Sequence, residues 1–169
     1  GIHSISRFLA EHRNLMFGGD LQVWANRALN WIHPEVPAHM LELITEQCEN
    51  YNIDGLELDF MRYPHLFDLS QTTFAERAAV TERFLAAVRA VLDRTARNSR
   101  HRYLCVRVPS DIGMWDAIGL LPERLESLGV EMVNVSSSYF TDQWVDFGAF
   151  PSRMPNLAVY FEICHCTTT

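Results

Sequence analysis

NIDGLELDFMRYPHLF, residues 52–67, reads as a short strand that ends in a polar loop. Side chains alternate along a strand. Leu56, Leu58 and Phe60 therefore share one face, and Glu57 and Asp59 share the other. Amphipathic segments precede and follow the stretch, so helices are expected over its apolar face. The two acids then face the interior of the fold, where a charge is costly unless it is paired or used.

Upstream, His33-Pro34-Glu35 opens a helix, with Pro in the first turn and Glu near the positive helix end. Val36, Met40, Leu43, Ile44 and Gln47-Cys48 recur at three-to-four spacing and predict one buried stripe through about Tyr51. LQVWANRALNWI, residues 21–32, is apolar and aromatic enough for a further strand. Residues 1–20 read as irregular around a Gly18-Gly19-Asp20 turn.

Downstream, the loop 61–72 carries Arg62, Tyr63, Pro64, His65 and Phe67. Thr72 or Thr73 begins a second helix, with Glu76 completing a capping box. Val80, Phe84, Val88 and Leu92 give its apolar face. Arg94, Arg97, Arg100 and Arg102 read as its solvated C-terminal end. YLCVRVP, residues 103–109, is the next strand, with Cys105 and Arg107 opposite Leu104, Val106 and Val108. A loop and a short helix over about 122–128, stopped by Gly129, precede the strand 131–137, which sets Asn134 and Ser136 on one face. Residues 139–155 read as loop or loose helix. NLAVYFEIC, residues 156–164, is the last strand, with Tyr160 and Glu162 opposite its aliphatic set.

Strand–helix alternation predicts an α/β fold with a parallel sheet built from right-handed crossovers. Four such strands, or five with residues 21–31, each end in a polar loop. A complete eight-stranded (β/α)8 TIM barrel usually takes ~250 residues, against 169 here. The chain is therefore expected to be one domain, 1–169, forming an incomplete barrel. An open doubly wound sheet fits the length better, but the glycine-rich turn of its nucleotide site is missing.

Composition narrows the partners. The chain is 48% hydrophobic and 21% charged, as in an ordinary globular protein. Its net charge is −7, and all 14 of its Lys and Arg residues are Arg, without a basic patch, which disfavours nucleic acid. No apolar run nears the ~20 residues that span a bilayer. Cys48, Cys105, Cys164 and Cys166 suit neither a zinc-finger spacing nor a disulfide scaffold, and read as free thiols.

The polar faces are the informative part. Each strand offers groups toward its C-terminal end: Glu57 and Asp59, then Arg107, then Asn134 and Ser136, then Tyr160 and Glu162. In a parallel barrel that rim carries the active site. Asp59 is the candidate catalytic acid at the rim, and Glu162 the second carboxylate. Glu57 lies ~7 Å deeper and is expected to orient Asp59 or to pair with Arg107. Arg62, Tyr63 and His65 sit on the loop above Asp59, and His165 follows the last strand; substrate contact and plain packing both fit them. A buried ion network, chiefly Arg107 with Glu57, is the structural alternative for the whole set. Trp24, Trp31, Trp115 and Trp144 suit core packing or stacking on sugars.

These residues also carry a resemblance. His33-Pro34-Glu35-Val36, Tyr51 with Asp54-Gly55, and Asp59-Phe60-Met61-Arg62-Tyr63-Pro64 resemble the fourth-strand region of bacterial glycoside hydrolase-like barrels related to family-10 glycosidases. The final EICHCTTT is similar to their seventh strand and rim. The resemblance implies about strands 3 to 7 of a barrel that cleaves an oligo- or polysaccharide with two carboxylates and no cofactor. Asp59 is then the general acid/base, and Glu162 the nucleophile or base. A separation of ~5 Å would mean retention, and ~6.5–9.5 Å inversion. The DG strand is also similar to that of chitinases, but Met61 stands where their catalytic Glu would be, and Glu57 replaces an Asp. Two other readings remain: a metal-dependent sugar isomerase or lyase with Glu57, Asp59, Glu162 and His165 as ligands, or a non-catalytic carbohydrate-binding barrel.

Overall fold

The computed structural model describes residues 6–19, 24–61, 64–136 and 145–162. Four strands form one parallel sheet: β1 (Gly55–Asp59), β2 (Tyr103–Pro109), β3 (Met132–Ser136) and β4 (Ala158–Phe161). Their spatial order follows the sequence, β1-β2-β3-β4. The fold is therefore α/β with a parallel sheet, as the strand–helix alternation predicts.

The helices form because local signals and apolar spacing agree. α3 (Phe74–Thr95) starts at a capping box: the Thr73 side chain accepts the Glu76 N–H, and Glu76 Oε2 accepts the Thr73 N–H at 2.8 Å. Val80, Phe84, Val88 and Leu92 of this helix are all buried. α2 (Glu35–Asn50) runs as predicted, yet its stripe differs. Val36 and Cys48 are buried and Leu41 and Ile44 pack beside them, while Met40 and Leu43 are exposed. α2 meets α3 and not the sheet broadside, so its contact stripe is narrower than its apolar surface.

One apolar core joins these helices to the sheet. Leu104, Val106, Val108, Val133 and Val135 pack with Phe84, Leu85 and Val88 of α3, Cys48 of α2, and Phe150 of α4 (Ala149–Arg153). Trp115, from a 3-10 helix over Ile112–Ile118, closes the core and donates its indole N–H to the Pro109 carbonyl at 2.8 Å. All these residues share one side of the sheet. The other side carries Glu57, Asp59, Cys105, Arg107, Asn134, Ser136 and Tyr160.

Four expectations need correction. Residues 24–31 are not a fifth strand: Trp24–Arg27 is a 3-10 turn, and Leu29 makes only an isolated antiparallel bridge to Met16. Aromatic richness there serves packing, as Trp31 meets Phe84 edge-on at 4.9 Å. The N-terminal region is not wholly irregular, because α1 (Arg7–Glu11) forms under a Ser6 cap. The helix expected at 122–128 is two 3-10 turns, Pro122–Arg124 and Glu126–Leu128. Arg102 is not part of a solvated helix end. It is 2% exposed and donates to the carbonyls of Cys48 and Tyr51 and to Thr95 Oγ1, tying the end of α2 to that of α3.

Gly55 has a backbone reason. A Cβ there would collide with the Tyr103 carbonyl of the neighbouring strand. Gly55 is thus set by close strand approach, independent of any chemistry at the rim.

Candidate functional site

Register places the polar side chains in rows across the open face. Asp59, Arg107, Asn134 and Tyr160 are successive partners from β1 to β4. One step toward the N-terminal ends, Glu57 sits opposite Cys105, and Cys105 opposite Met132. Toward the C-terminal ends, Ser136 partners Pro109. Glu162 continues the ladder past β4, its N–H donating to the Val135 carbonyl at 2.8 Å.

The upper cluster is organised by Arg107. Its Nη1 donates to Asp59 Oδ2 at 2.9 Å, and its Nε to Glu162 Oε2 at 2.8 Å. Its Nη2 donates to Ser136 Oγ at 2.8 Å and lies 2.7 Å from Glu162 Oε2. Asp59 Oδ1 accepts the Met61 N–H at 2.9 Å, so the loop's first turn fixes this carboxylate. The Arg107 side chain is 18% exposed, Asp59 44% and Glu162 35%; the cluster opens to solvent and is not sealed. One guanidinium thus bridges the acids from the first and last strands of the sheet.

The electrostatics follow from these bonds. The Ser136 hydroxyl, ahead of Arg107, holds the Glu162 carboxyl below the ordinary range, with partial burial opposing. Burial works against the Arg107 charge, yet Glu162 and Asp59 outweigh it and raise the guanidinium further. Glu162 is therefore a carboxylate fixed in its ionised form.

A second, lower cluster surrounds Glu57. Its Oε2 accepts Asn134 Nδ2 at 3.1 Å and the Cys105 thiol at 3.4 Å. Burial, then the bond to Glu57 and its charge, push the Cys105 thiol up to about 12. It stands here as a hydrogen-bond donor to Glu57.

Most predicted side chains converge, with some changes of role. Asp59, Glu162, Arg107, Asn134, Glu57 and Tyr160 share the face. The expected Arg107–Glu57 pair is not made: Arg107 takes Asp59 and Glu162, and Glu57 takes Asn134 and Cys105. Nor does Glu57 hydrogen-bond Asp59; its partners are Asn134 and Cys105. Ser136 is 1% exposed, and its hydroxyl is engaged with Arg107 and Glu162. Tyr160 is 54% exposed, with its hydroxyl 3.9 Å from Met132 Sδ. His65 is exposed and lines a hollow with Phe17, Asn26 and Asp68. Arg62, Tyr63, His165, Cys164, Cys166 and Trp144 lie outside the described residues.

Cys105 was legible only as a buried thiol; its shared parity with Arg107 was the one signal that it would face Glu57. Among the described residues, no three His, Cys, Asp or Glu side chains group as a metal site. Asp59 and Glu162 converge on an organic cation, and His165 of the proposed ligand set is outside the described residues. Compared with protein-family models and with curated proteins, the chain matches none.

Proposed function

We propose that the sheet is a segment of a (β/α)8 barrel whose rim hydrolyses glycosidic bonds of an oligo- or polysaccharide. Two features support the barrel. The strand order has no reversal among the described strands, and α2, α3 and α4 share one core on one face. A doubly wound sheet reverses its order and covers both faces.

The observation that carries the chemistry is the meeting of Asp59 and Glu162 on Arg107. Both are solvent-accessible and stand at the C-terminal ends of parallel strands, where barrel active sites lie. Glu162, ionised by Ser136 and Arg107, suits the nucleophile or base. Asp59 suits the acid/base once its Oδ2 exchanges Arg107 for the glycosidic oxygen, while Arg107 stays on Glu162 and Ser136. Asn134 and Tyr160 offer an amide and an exposed ring to the sugar.

A second reading, a sugar-binding barrel without turnover, is favoured by one detail. Asp59 accepts hydrogen bonds on both oxygens, whereas a general acid presents a proton. Mutagenesis separates the two. Under the hydrolase reading, Asp59→Asn and Glu162→Gln each lower kcat by about 10²–10⁴-fold with the fold kept. Sugar bound by the unmodified protein but never cleaved establishes the second reading, and full activity in either variant removes that residue from the mechanism.

A further inference from the structure

We infer that this face takes a glycan without negative charge, and an amino sugar ahead of its neutral counterpart. The inference rests on the glycosidic reading above and names its substrate class. The cation at the centre of the site is already committed. All three Arg107 nitrogens donate within the protein, to Asp59, Glu162 and Ser136. A uronate or sulfate would have to break those bonds to reach the guanidinium. It would gain one charge-assisted pair and leave two carboxylates without theirs.

What the face offers an incoming ligand is the opposite charge. Glu57 and Asp59 are exposed, and Glu162 is 35% exposed. Among the described side chains of this face, three carboxylates, Glu57, Asp59 and Glu162, stand against one guanidinium. Arg107 is the only cation among the described side chains of this face. Around Glu57 the donors are neutral, an amide and a thiol, so its charge is solvated but not cancelled. The bottom of the face therefore attracts an ammonium group and repels a second carboxylate. Within a partly exposed site, one charge at a few ångströms is worth about tenfold in affinity. Glu57 is accordingly a specificity-determining residue, distinct from the acid pair above it.

The full protein is titrated with β-1,4-linked tetramers of glucose, glucosamine and glucuronic acid, in low and in physiological salt. The glucosamine tetramer is expected to bind about fivefold or more tighter than the glucose tetramer, and the glucuronate about tenfold weaker. Salt narrows both gaps, and so does Glu57→Gln. Equal binding of all three, tighter binding of the glucuronate, or gaps that Glu57→Gln leaves untouched overturns the inference. If that happens while Asp59→Asn still abolishes cleavage, the inference falls alone. If no tetramer is bound or cleaved, the glycosidic reading falls with it.

Discussion

On the helix-covered side of the sheet, Leu104, Val106, Val108 and Val133 are 0% exposed. One residue along the same strands, on the opposite side, Cys105, Arg107 and Asn134 spend their polar atoms on Glu57, Asp59 and Glu162. The covered side is held by burial, which is non-directional and tolerates exchange of one apolar shape for another. The open side is held by directed bonds, each of which needs its particular partner. Stability and candidate chemistry are thus separated by the two-residue period of a strand, and a substitution should report which side it is on.

The covered side gives the largest effect. Trp115 is 1% exposed and its N–H satisfies the Pro109 carbonyl. Trp115→Ala is expected to cost about 3–5 kcal/mol, read from urea or thermal midpoints. Arg107→Met, on the open side, is expected to cost less, about 1–3 kcal/mol, because the carboxylates it abandons can still be hydrated. Its effect on the proposed cleavage should be large in comparison, since Glu162 loses one of the two groups, with Ser136, that hold it. A stability loss from Arg107→Met equal to that from Trp115→Ala would break the comparison. The cluster would then be a structural ion network and not a site.

The division between the faces was legible in the sequence, because alternation needs no knowledge of neighbours. Leu56 and Leu58 against Glu57 and Asp59, and Val106 and Val108 against Cys105 and Arg107, follow from parity alone. α3 was legible as well, since its cap and its stripe are local. The ion pairing was not. Register sets Asp59 beside Arg107 and Glu57 beside Cys105; a shift by two residues would have kept every face and changed the partner. Register depends on how the crossover helix packs, and no local pattern encodes it. Arg102 escaped for a related reason. A long flexible stem at a helix end can reach water or fold back to buried carbonyls, and only the neighbouring chain decides. Residues 24–31 misled because aromatic and apolar richness reports burial without reporting the backbone.

The subtlest difference between the faces concerns protons. Glu162 has its folded-state pKa depressed, by the Ser136 hydroxyl first and by Arg107, against partial burial. The unfolded chain then binds a proton at Glu162 more readily than the folded one. Such a group contributes stability above its unfolded pKa, about 4.3, and loses it as pH falls through the folded value. Stability of the native protein should therefore decline below about pH 4.3, and part of that slope should vanish in Glu162→Gln. Urea midpoints at about pH 5 and about pH 3 in both proteins measure it. Trp115→Ala, which leaves the Glu162 carboxyl and its partners in place, should lower both midpoints and keep the part of the slope that Glu162 carries. Identical slopes with and without the Glu162 carboxylate would mean that Ser136 and Arg107 do not hold its charge, and the ionised base at the centre of the proposed chemistry would be lost.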